Sequence, residues 1–72
     1  MTHGGQGKSN RQQAQELLRQ AEQHKERAAE FERAASETED VARRSELRSR
    51  RDFEQQQADT ALRMAGLYIG LV

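Results

Sequence analysis

Five arginines stand within nine residues, Arg43, Arg44, Arg48, Arg50 and Arg51. Guanidinium groups at that density could follow a phosphate backbone. Glu46 and Asp52 interrupt the run, and only Phe53 is at hand to stack on a base. Helical spacing also scatters Arg43, Arg48 and Arg50 around an axis instead of aligning them in one stripe. The expected role of the cluster is therefore an ion-paired surface, with phosphate contact as the alternative. The two histidines, His3 and His24, have no obvious third ligand nearby for a metal. No Ser/His/Asp or Cys/His arrangement has a rigid scaffold to hold it, and catalysis requires that preorganisation. Carboxylates are spread along the chain and not paired. No catalytic, cofactor-binding or metal-binding residue is expected, and the protein is read as not an enzyme.

Two short glycine motifs carry little weight. Gly4-Gly5-Gln6 resembles the tripeptide that peptide-release factors extend into the peptidyl-transferase centre, but the domain that presents it there is larger than this chain. Gly7-Lys8-Ser9 is similar to the end of a phosphate-binding loop, yet Thr2 stands where that loop needs its first glycine. Both are read as parts of a flexible segment, residues 1–9.

Positioning elements must come from 72 residues, enough for one domain at most. Chains this short bury only about 60% of the surface they expose when unfolded. Of 24 apolar residues, ten are alanine. Between Thr2 and Ala61 the large ones are Leu17, Leu18, Phe31, Val41, Leu47 and Phe53. So few cannot hold some fifty residues against an ordering cost of roughly 1–2 kcal/mol each. Another chain must contribute surface, so a homo-oligomer is expected, with a protein partner of unspecified identity. Twelve basic and twelve acidic residues cancel, so no global field favours nucleic acid or an anionic membrane. The absence of cysteine suits a cytoplasmic location. No signal peptide is expected at the polar, glycine-rich start.

From Asn10 to Ala65 there is neither glycine nor proline, and Ala, Gln, Glu and Arg dominate. These residues lose little rotamer freedom in a helix. Ala14, Ala21, Ala28, Ala35 and Ala42 recur every seven residues, with Leu17, His24 and Phe31 three positions after the first three. That is a coiled-coil seam with alanine at one of its two core positions. The helix-pairing residues are Ala14, Leu17, Ala21, His24, Ala28, Phe31 and Ala35. On such a seam His24 is read as a partly buried, hydrogen-bonded side chain, and a pH-sensitive contact is the second reading.

After Ala42 the repeat fails, because Ser45, Ser49 and Gln56 fall where apolar residues are needed. A new face begins with Leu47 and continues through Ala58, Ala61, Leu62, Ala65 and Ile69. Ser36 followed by Glu39 reads as a capping box, with Asp40 beside it. The fold class is therefore all-α: a helical hairpin over 10–65, two antiparallel helices with a turn near 36–40, associating into a coiled coil or four-helix bundle. A single long helix in a coiled coil is the alternative. Folding about residue 38 brings the arginines beside Glu22, Glu26, Glu30 and Glu32, and sets Leu62 near Ala14 and Ala58 near Leu18.

The last eleven residues hold half of the large apolar side chains of the whole chain. Residues 66–72 form an apolar tail too short for a bilayer span of about 20 residues, so membrane contact ranks last. Leu62, Ala65, Leu67, Tyr68, Ile69, Leu71 and Val72 are the expected self-docking or partner-docking residues. The function expected is that of a non-enzymatic oligomeric adaptor or assembly protein. A small nucleic-acid-binding regulator acting through Arg43–Arg51 is the alternative.

Overall fold

The computed structural model describes residues 9–70, which form two helices, α1 (Asn10–Glu37) and α2 (Val41–Gly70). They pack against each other as an antiparallel hairpin, a single layer one helix thick. No strand occurs among the described residues.

Helix α1 starts at a capping box that the sequence encodes as Ser9-Asn10-Arg11-Gln12. The Gln12 amide donates to Ser9 Oγ at 3.1 Å, and the Ser9 amide donates to Gln12 Oε1 at 3.1 Å. Two donors that the first turn would leave unpaired are thereby satisfied. The helix stops at Thr38, whose backbone is extended.

Without glycine or proline, the turn is made by side chains. Thr38 Oγ1 accepts the Asp40 amide at 3.3 Å, and Asp40 Oδ1 accepts the Arg43 amide at 3.2 Å. The Arg44 amide donates to the Asp40 carbonyl at 2.9 Å, opening α2. Arg44 Nη2 reaches back 2.9 Å to the Thr38 carbonyl. One arginine therefore ties the start of α2 to the end of α1.

The cap of α2 is thus Asp40, not the expected Ser36–Glu39 box. Ser36 stays inside α1 and donates to Glu32 Oε2 at 3.3 Å. Ending α1 at Ser36 would strip the final turn from behind Ala35, which is fully buried. Burial of that last seam alanine favours the later stop.

Ala14, Ala21, Ala28 and Ala35 are all buried, and Leu17, His24 and Phe31 are half-buried beside them. In α2 the buried and half-buried positions include Arg44, Leu47, Arg51, Glu54, Ala58, Ala61, Ala65 and Tyr68, alternating three and four residues apart. This seam is out of phase with a continuation of the first: Ala42, Ser45, Ser49 and Gln56 are exposed. The three-residue connection resets the helical phase, which is why the repeat breaks down in the sequence.

Contacts fix the register. Ala21 clusters with Ala58 and Ala61, flanked by Leu17 and Leu62, while His24 meets Glu54. Leu62 therefore packs in the Leu17 layer and not beside Ala14, and Ala58 lies with Ala21 and not with Leu18. The turn is centred on Glu39, one residue later than 38, and that difference doubles along the opposite helix. Helix α2 also continues five residues past Ala65, carrying Gly66 inside it at a propensity cost of about 1 kcal/mol relative to alanine.

Candidate interaction surfaces

The seam sorts the flanking side chains onto two sides. On one, the alanines line shallow grooves with Lys25, Glu32, Arg51 and Gln55 toward the bend, and with Arg11, Leu18 and Ile69 at the open end. On the other lie the larger seam residues Leu17, His24, Phe31, Leu47 and Glu54, a division that follows from their heptad positions.

A polar layer interrupts this second side. His24 Nδ1 and Glu54 Oε1 are 2.6 Å apart, with both side chains mostly covered. A carboxylate only accepts, so the imidazole donates from Nδ1. Arg27 Nη1 lies 4.0 Å from the same oxygen. Apolar spacing in the sequence does not mark Glu54, because it sits in the second, phase-shifted seam. Once that phase is known, Glu54 falls opposite His24 by spacing alone.

The arginine cluster is engaged in contacts within the chain. Arg43 pairs with Glu46 at 2.8 Å, and Arg50 approaches Glu46 at 4.0 Å. Arg48 lies 3.7 Å from Glu32. Arg51 donates to Glu32 at 2.5 Å and also grips Asp52 through Nε and Nη2, at 2.9 and 2.6 Å. Arg44 is occupied by the turn carbonyl. The hydrogen bond from Arg51, helped by the field of Arg48, holds the Glu32 carboxyl below its ordinary range. Bonding to Asp52, then to Glu32, raises the Arg51 guanidinium in turn. Of the four acids expected beside the arginines, only Glu32 has an arginine of α2 within ion-pair distance; Glu22, Glu26 and Glu30 face solvent.

At the open end, α2 is apolar around most of its circumference. Leu67 is 65% exposed, Ile69 53% and Met64 42%, while Tyr68 and Leu62 are half-buried. Ala65 is fully buried in the intrachain seam, so it holds the hairpin together and offers nothing to a partner. Leu71 and Val72 lie outside the described residues, as do His3, Gly4-Gly5-Gln6 and the Gly7-Lys8 part of the second motif. Among the described residues no group of three or more His, Cys, Asp or Glu is placed to hold a metal ion, and no helix is long and apolar enough to cross a membrane. Set against known proteins, the chain matches no family model, no curated sequence and no solved structure.

Proposed function

We propose that this protein is a non-enzymatic assembly module or adaptor, in which the alanine seam closes the hairpin and the apolar end of α2 supplies self-association or docking to a protein partner. The observation that carries this reading is the exposure of Leu67, Ile69 and Met64 on two turns that also bear Leu62 and Tyr68. A helix that is apolar all round belongs in a buried setting, and α1 can cover only one of its sides. The opposing turns of α1, residues 10–18, are mostly polar and give little cover.

The occupied guanidinium groups of Arg43–Arg51 support this reading over phosphate binding, since a nucleic acid would first have to displace acidic partners that are already in place. Sedimentation of the full chain and of a chain lacking residues 66–72 tests the proposal. The full chain is expected to associate and to lose helicity on dilution, by mass action, and removal of residues 66–72 is expected to weaken association at least tenfold. A full chain that stays monomeric and folded, binding nucleic acid with steep salt dependence, would favour the regulator.

A further inference from the structure

We infer that the side of the hairpin carrying Leu17, His24 and Phe31 is covered by a second copy of this chain, giving a four-helix bundle with the His24–Glu54 layer at its centre. The inference rests on the assembly reading above and names the surface and the partner.

The first ground is the distribution of side chains. All three aromatic residues of the chain, Phe31, Phe53 and Tyr68, fall on this side or its flank, with Leu17, Leu47 and Met64. They run the length of the hairpin. Phe53, beside the bend-proximal half, is 57% exposed, and Met64, near the open end, 42%. The opposite side has Leu18, Leu62 and Ile69 at the open end, but toward the bend it is filled with Lys25, Glu32, Arg48 and Arg51. Covering that side would bury charges, which costs several kcal/mol per ion. Arg27, Arg43 and Arg50 on this side, by contrast, are more than half exposed and can keep their guanidinium groups in water at the rim.

The second ground is what the hairpin lacks. Among the described residues, seven of the eight buried apolar ones are alanine, the eighth is Leu47, and no large side chain is fully buried. Its larger residues stop half-covered at the surface of a single layer. A second layer applied to this side would complete a core for both copies at once.

The partner is argued from symmetry, charge and area. Along this side an apolar group at each end, Leu17 with Met64 and Phe31 with Leu47, flanks the polar layer. Either two-fold arrangement of two hairpins then sets apolar ends against apolar ends and polar middle against polar middle. A net charge of zero leaves no overall repulsion between copies. A face about 45 Å long and about 20 Å wide, from helix rise and diameter, offers roughly 900 Å², close to the ~800 Å² per partner of a stable interface. The central His24–Glu54 layer would fix the register, as single buried polar positions do in coiled coils.

The test compares Met64→Glu/Ala34→Glu, which places charges on this side, with Ala29→Glu/Gln55→Glu, which places them on the other. Sedimentation should give twice the chain mass for the wild type and for the second pair, and at least tenfold weaker association for the first. Because the first pair could also lose its fold, thiol labelling supplies an independent reading in chains that assemble. The thiol introduced by Met64→Cys should react with a maleimide at least tenfold more slowly than that introduced by Ala29→Cys, an exposed position on the charged side. A monomeric wild type overturns both this inference and self-association. Association lost only with the Ala29/Gln55 pair, or slower labelling of the Ala29→Cys variant than of the Met64→Cys variant, overturns the assigned side and leaves the assembly reading intact.

Discussion

His24 and Glu54 are thirty residues apart in sequence and 2.6 Å apart in space, the one side chain-to-side chain hydrogen bond between the helices, among those described, that lies within the seam's own core positions. Replacing Glu54 with alanine should cost about 1.5–3 kcal/mol, the range for a hydrogen bond to a charged group. Replacing both residues with leucine should cost less than the sum, or stabilise, because apolar pairs often outperform buried polar ones. Urea unfolding at one fixed protein concentration, run as a double-mutant cycle, measures both.

The turn depends on Asp40 and Arg44. Asp40→Ala removes the α2 cap and should destabilise by about 0.5–2 kcal/mol. Arg44→Ala frees the Thr38 carbonyl and should cost less, since water can replace the lost donor. Amide exchange at Arg43 should quicken markedly in the Asp40 variant, because that amide loses its acceptor. Unchanged exchange there would mean that the cap contributes nothing in solution.

Ala21 is buried in the seam, packed with Ala58 and Ala61. Ala21→Leu should destabilise by about 1–3 kcal/mol through overpacking, and Ala21→Glu by more, because it also buries a charge. Ala29 is exposed, and Ala29→Glu should fall within about 0.5 kcal/mol of the wild type. Thermal melts followed by circular dichroism rank the three.

Acid should weaken the hairpin partly through Glu32. Its carboxyl is held below the ordinary glutamate range in the folded chain by Arg51 and then Arg48. A depressed carboxyl contributes stability that is fully present above its unfolded pKa and is lost as pH falls through the folded one. Stability should therefore be flat in this respect at neutral pH and decline below about 4.5. Glu32→Gln should show a shallower decline over the same interval in pH-dependent urea midpoints. The pair is exposed enough that the effect should be modest.

Much of the hairpin is legible in the sequence. The seven-residue recurrence of Ala14, Ala21, Ala28 and Ala35 states the first seam outright, and the break of the repeat after Ala42 marks a reversal. The register is less legible, because it depends on whether Ser36 or Asp40 caps α2, and local propensity favours both. Tertiary burial of Ala35 decides it. In the α2 seam, Arg44, Arg51 and Glu54 are charged, so a search for apolar spacing passes over them. They are placed by what they bond across the interface, which no single helix reveals.

The hairpin bends within three residues, and its two helices are nearly equal in length. Ser9 and Gly70 therefore sit at the same tip, with the bend some 40 Å away by helix rise. The molecule is a short spar held at one end. Anything joined at Ser9 or Gly70 leaves from that tip, and whatever touches the bend is kept at a fixed standoff. Spliced into a surface loop of another protein, such a spar would project outward without forcing the loop ends apart.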